Sequence, residues 1–257
     1  MEHWPNLSYP GTVRSSIVRK TYVTFVLDRS TSMEGMKEGA VAMFNEQRSA
    51  LLEADEDAGE FICSFVTFGT DVEWVFRDNP ISEVPELRFS QYKPSGCTAL
   101  CDAIGEAISH LSTHEPEQDV QMANALHGNV QGDVAFLMII VTDGAENASK
   151  EFTATSIKEL MDTKRERDDW TIVFCGTTDI NTSGMAGAMG LTGVPGASQG
   201  TFDRGVVGAH AFAADLGQAT RSYASSRSRG SAQVSNYFVS DLAENVADAE
   251  EDEDSSD

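Results

Sequence analysis

Residues 133–144 read DVAFLMIIVTDG, from Asp133 to Gly144. Every residue from Val134 to Val141 is apolar, and Thr142-Asp143-Gly144 closes the run. A surface helix would interpose polar residues on a 3.6-residue period, and a half-buried strand would alternate. A short unbroken apolar run ended by turn residues fits a strand covered on both faces. Such strands occur in parallel sheets flanked by helices, so this stretch sets the fold class.

The neighbouring segments agree with it. TYVTFVLD (Thr21 to Asp28), FICSFVTF (Phe61 to Phe68) and WTIVFCG (Trp170 to Gly176) are rich in β-branched and aromatic residues and read as further strands. Gly69-Thr70-Asp71 is a tight turn, and VEWVF (Val72 to Phe76) returns antiparallel as a hairpin. Residues 77–96 hold three prolines and no clear period, which predicts a loop. A last short strand is expected within GVPGASQGTF. Between the strands, residues 34–53, 98–111, 151–168, 178–192 and 206–226 carry helical patterns, and residues 113–132 read as a polar surface loop. The expectation is an α/β domain with a mostly parallel sheet and one antiparallel strand. Residues 1–20 form an N-terminal extension, residues 21–226 the domain, and residues 227–257 a Ser/Arg-rich linker with an acidic tail.

The chain has 257 residues and 40% hydrophobic content, enough for a sizeable core. Its 41 acids exceed 18 Lys and Arg, giving a net charge of −23. That excludes a nucleic-acid surface, which needs clustered Lys and Arg, and docking on an anionic membrane. Nine acids follow Arg229, EEDED (Glu250 to Asp254) among them; without these the charge is −14. No apolar run is long enough to span a membrane, and the first residues lack the apolar centre of a signal peptide, so a cytoplasmic protein is expected. Cys63 and Cys175 fall within apolar runs and read as buried reduced thiols. Cys97 and Cys101 stand one helical turn apart, and packing of small residues explains them better than a metal or redox pair.

Three short loops carry the chemistry. Asp28-Arg29-Ser30-Thr31-Ser32 follows the first strand, Gly96-Cys97-Thr98 opens a helix, and Thr142-Asp143-Gly144 follows the most apolar strand. Ligands of open α/β sheets bind outside the carboxyl ends of the strands, so two carboxylates and three hydroxyls could meet there. Such oxygens are hard ligands, suited to Mg²⁺, Mn²⁺ or Ca²⁺ rather than zinc. With few carboxylates in the set, a bound ion keeps positive charge and can take an acidic group from a partner. Taken singly, D-x-S-x-S is often a capping turn and T-D-G an ordinary strand end; it is their joint order that is specific.

That order, D-x-S-x-S, then Thr98 after Gly96-Cys97, then T-D-G ending an apolar strand, resembles the metal-ion-dependent adhesion site (MIDAS) of von Willebrand factor A (VWA) domains. KPSGCTALCDAIG, VTDGAENASKEFT and GVPGASQGTFD are similar to segments of intracellular bacterial and phage members, and the resemblance covers roughly residues 20–226. It implies a Rossmann-like three-layer fold with a six-stranded sheet in the order 3-2-1-4-5-6 and one antiparallel edge strand. It implies further that Ser30, Ser32 and Thr98 touch the metal directly, while Asp28 and Asp143 act through water and hydrogen bonds. Thr31 departs from the family, where glycine is commonest; a positive φ there would strain a β-branched residue.

Other motifs carry less. His110 and His114 have zinc-ligand spacing, but Leu111 replaces the Glu of H-E-x-x-H, and a solvated helix end is the simpler reading. Glu146 and Asn147 either rim the metal or serve turn and helix-start chemistry, the second being preferred. No nucleophile–base–acid set or phosphate loop is visible, so the chain is not expected to be an enzyme. The function expected is a Mg²⁺-dependent protein-interaction module whose partner supplies an acidic group. Relatives in chelatase-like systems suggest an AAA+ ATPase as that partner. The alternative is a structural or assembly protein of a phage or stress-response complex with metal-independent oligomerisation. Between Lys93 and Lys150 there are eight acids and no Lys or Arg, a local field that attracts cations.

Overall fold

The computed structural model describes residues 19–54, 56–116, 133–165, 167–178, 182–191 and 196–238. The EEDED run, most of the 113–132 segment and the first 18 residues lie outside the described residues. Six strands form one sheet: β1 (Arg19–Asp28), β2 (Glu60–Phe68), β3 (Val72–Pro80), β4 (Asp133–Thr142), β5 (Trp170–Thr177) and β6 (Ala197–Phe202). Their order is β3-β2-β1-β4-β5-β6, and only the β2–β3 pairing is antiparallel. Among the described residues the α-helices are α1 (Lys37–Leu52), α2 (Leu100–Ser112), α3 (Ala154–Arg165), α4 (Thr182–Ala188) and α5 (Val206–Ser228).

The pleat sorts each apolar run into two cores. Leu137, Ile139 and Val141 of β4 join Val23, Phe25 and Leu27 of β1 beneath α1 and α5. Phe136, Met138 and Ile140 face the other way with Val26 of β1, against α2 and α3. This is why β4 has no polar position between Val134 and Val141: both faces of the strand are roofed. Each such fully buried side chain stabilises the fold by about 1.5–3 kcal/mol. Among the described residues no helix is long and apolar enough to cross a membrane.

Three expectations need correction. Residues 34–53 are not one helix, because a 3-10 turn over Thr31–Met36 precedes α1. The loop expected from residue 77 begins later, since β3 continues to Pro80, which pairs with Ile62. Register shifts between Cys63 and Phe65 and between Phe65 and Val66 bulge β3, and bulges erase the two-residue period that would reveal a strand. The domain also does not stop at 226. Arg227 is fully buried, its Nη1 lies 3.0 Å from Asp133 Oδ1, and its Nε donates to Thr21 Oγ1 at 3.0 Å. Tyr237 is buried as well and donates to Thr220 Oγ1 at 2.8 Å. Residues 227–238 thus complete the core. Ser- and Arg-rich composition suggested a linker because a buried arginine looks like a surface one until its carboxylate partner is known.

Candidate metal centre

β1 and β4 lie side by side at the centre of the sheet, with Leu27 opposite Val141. Their C-terminal ends therefore deliver Asp28 and Thr142-Asp143 to one place, although 115 positions separate the two aspartates in sequence. Asp28, Thr142 and Asp143 are fully buried, Ser30 and Thr98 are nearly so, and Ser32 is exposed. The result is a polar pocket floor with one solvent-facing hydroxyl.

Each carboxylate organises hydroxyls around it. Asp28 accepts the Ser30 backbone N–H at 2.6 Å on Oδ1 and the Thr142 hydroxyl at 2.6 Å on Oδ2. That turns the chain after β1 so that Ser30 and Ser32 face one way, their Oγ atoms 3.0 Å apart. Asp143 Oδ1 accepts the Ser32 hydroxyl at 2.6 Å. Tyr92 donates its hydroxyl to the Asp28 carbonyl and pins the strand end from the side. Thr31 is not strained: among the described residues only Asp78 is a non-glycine with positive φ. Thr31 instead donates from both N and Oγ1 to the Gly96 carbonyl at 3.1 Å, tying the first loop to the second.

The Thr98 loop is fixed from both sides. Gly96 has φ +81°, and a Cβ there would stand 2.4 Å from Thr70 Oγ1, so only glycine makes this turn without strain. Thr98 N donates to Asn147 Oδ1 at 2.9 Å, and Asn147 N returns a bond to the Thr98 carbonyl at 3.0 Å. Glu146 accepts the backbone N–H groups of Cys101, Ala148 and Ser149 and the Ser149 hydroxyl. Asp102 accepts three more, from Lys150, Glu151 and Phe152. Glu146 and Asn147 thus serve the helix start, as the sequence suggested, by clamping the loop after β4 to the beginning of α2.

All five expected residues converge. A Cβ placed on Gly144 would lie 3.0 Å from Thr98 Oγ1 and 3.5 Å from Ser32 Oγ, so this glycine keeps open the space beside two of the hydroxyls. The hydroxyl and carboxylate oxygens gathered here are the donor set of a hard divalent ion. Burial pushes the Asp28 carboxyl up to about 6, against the hydrogen bonds from Thr142 and Ser30, and the nearby Asp143 charge adds to the rise. A divalent cation would offset that repulsion, and the residues present fit one.

The sequence did not point to Arg204. It follows β6, donates from Nη2 to the Asp143 carbonyl at 2.8 Å, and places Nη1 3.5 Å from Asp143 Oδ2. Nothing in its local sequence marks it; only the parallel placement of β5 and β6 beside β4 brings it there. Cys97, expected to pack, is exposed beside Thr98, whereas Cys63, Cys101 and Cys175 are buried free thiols.

No family model matches the sequence, and no curated protein matches it. Solved structures do match. A von Willebrand factor type A protein from Catenulispora acidiphila aligns over 79% of this chain and 42% of its own, with TM-score 0.53 and 13% identity. The human COPII-coat protein Sec24c aligns over 80% of this chain and 33% of its own, with TM-score 0.52 and 12% identity. The chain spans less than half the length of either, and at such identities the likeness concerns the fold alone. The strand order, the single antiparallel edge and these structural neighbours agree: this chain has the von Willebrand factor A fold.

Proposed function

We propose that the chain is a divalent-cation-dependent protein-interaction module, non-catalytic, with Mg²⁺ as the working ion and Mn²⁺ or Ca²⁺ as substitutes. The observation that supports this reading best is the convergence of Ser30, Ser32 and Thr98 around Asp28 and Asp143 at the carboxyl edge of the two central strands. In it, the three hydroxyls hold the ion, and the two carboxylates orient them through hydrogen bonds. Neutral hydroxyl ligands leave charge on the ion, and an Asp or Glu of a partner completes the coordination. An AAA+ ATPase is one candidate for that partner.

Asp28 Oδ1 and Oδ2 and Asp143 Oδ1 all accept short hydrogen bonds that aim the chain and its hydroxyls, a positioning role for both carboxylates.

The test is affinity capture from the native host with the full chain, in Mg²⁺ and in EDTA, for wild type and Asp143→Ala. A partner retained in Mg²⁺ and released by both EDTA and the substitution is expected. Partners retained equally under all conditions would overturn the reading and favour a metal-independent assembly role.

A further inference from the structure

On the α2 side of the sheet, away from the site just described, the bulged edge strand meets the end of a helix. Asp78 of β3 places Oδ1 3.1 Å from His110 Nε2 and 3.1 Å from His114 Nε2. The three candidate ligand atoms all lie within 4.8 Å of one another. Ser64 Oγ stands beside them, 3.3 Å from His110 Nε2 and 3.4 Å from Asp78 Oδ1.

Several features build this arrangement. The two register shifts of β3 occur around Val75 and around Arg77-Asp78, opposite Ser64. The second returns Asp78 to the face that Ser64 and α2 share, the re-aiming that bulges accomplish. Asp78 takes φ +55°, the one positive φ of a non-glycine among the described residues, and its N–H donates to Ser64 Oγ at 3.0 Å. The rings are set as well. Tyr22 stacks on His114 with centroids 4.1 Å apart, and Trp74 meets His110 edge-on at 4.9 Å. The helical turn continues past α2 through the bond from His114 N to the Leu111 carbonyl, which keeps the four-residue spacing on one face. The histidines are therefore not a solvated helix end, as their sequence suggested, but rings packed between the sheet and the helix.

One atom is left over. His114 Nε2 is buried and 3.1 Å from the carboxylate, yet the contact is misaligned and gives it no hydrogen bond. A buried ring nitrogen this close to a carboxylate oxygen without bonding it is placed as a co-ligand would be. We propose that Asp78, His110 and His114 form a zinc site distinct from the hydroxyl-rich centre, clamping the edge strand β3 to α2. Two imidazoles and one carboxylate suit zinc, whereas the serine–threonine set suits Mg²⁺. The Asp78 side chain is 38% exposed, so the fourth position opens to water. An ion there would add a cross-link at the strand that pairs along one side only.

The experiment is zinc titration of the full chain, stripped of metal and held in excess Mg²⁺ to fill the hydroxyl-rich centre. One equivalent of zinc is expected, with a rise in melting temperature. In His114→Gln and Asp78→Asn the affinity should fall by more than the roughly 10- to 100-fold that follows loss of a mere supporting partner. Co²⁺ should give the intense visible bands of four-coordinate geometry in wild type, and the weak bands of six-coordinate cobalt in both variants. Unchanged zinc affinity in the variants, or no saturable zinc binding by the wild type, overturns the proposal. Circular dichroism of the metal-free variants separates ligand loss from misfolding, and because Mg²⁺ occupies the other centre throughout, failure here leaves the interaction reading intact.

Discussion

The Ser32 hydroxyl donates to Asp143 Oδ1 at 2.6 Å, joining the loop after the first strand to the loop after the fourth. A hydroxyl bonded in this way has its proton turned toward the carboxylate and its lone pairs toward the space between Ser30, Thr98 and Gly144. One buried acid thus sets the direction of an exposed hydroxyl.

Gly144→Ala tests that space directly. The added methyl would reach 3.0 Å from Thr98 Oγ1, closer than nearly all natural contacts, and crowd Ser32. Mn²⁺ affinity is expected to drop at least about tenfold, roughly 1.4 kcal/mol, with little change in thermal stability. Calorimetric titration gives the answer, with Asp28→Ala, expected to abolish binding, as the reference. Unaltered affinity in both would remove the site assignment.

In the proposed function, Arg204 would compete with a cation for Asp143. Its side chain is 43% exposed, and an exposed ion pair is worth about 0–1 kcal/mol. Arg204→Ala is therefore expected to tighten Mn²⁺ binding by up to about fivefold. Weaker binding in the variant would mean that the guanidinium orients Asp143 rather than opposing the cation.

At the opposite end of the sheet, Arg227 and Asp133 form a pair shielded from solvent. Replacing Arg227 strips Asp133 Oδ1 of its buried partner and leaves the carboxylate only the partly exposed Arg19, whose Nε lies 3.3 Å from Oδ2, so the loss is at most the about 3–5 kcal/mol of a buried charge left without any partner. Arg227→Met should lower the urea midpoint accordingly, and a chain ending at 226 should lose more than one ending at 238, because Tyr237 goes with it. Equal midpoints for the two truncations would contradict the packing of residues 227–238.

Acid should loosen the clamp between the loop after β4 and α2. Burial raises the Glu146 carboxyl, but the N–H groups of Cys101, Ser149 and Ala148 and the Ser149 hydroxyl outweigh it and hold the group below its ordinary 4.5. A depressed carboxylate contributes stability that is complete above pH 4.5 and lost as pH falls through the folded value. Glu146→Gln should thus cost about 1–2 kcal/mol near neutrality and nothing in strong acid. Urea unfolding followed from pH 7 downward would show the two proteins converging; parallel curves would refute the role given to Glu146.

The strands were legible in the sequence because burial on both faces leaves a plain trace: VAFLMIIV can sit only where both sides are roofed. The convergence of Asp28, Ser30, Ser32, Thr98 and Asp143 in the candidate site was legible because these residues are fixed by their places at strand and helix ends, which follow from the order of elements. The β3 bulges were not, since an extra residue cancels the alternation by which a strand is recognised. Arg204, Arg227 and Asp78 were equally silent. Their meaning depends on a partner 61, 94 or 32 positions away, and a charged residue has the same local signature whether it meets water or a carboxylate. Sequence alone therefore determined the sheet and the ends of its strands, because burial and turn chemistry act over a few neighbouring residues. The pairings that tune the centre, seal the base of the sheet and join Asp78 to two histidines were decided by tertiary structure, where distance in space replaces distance along the chain.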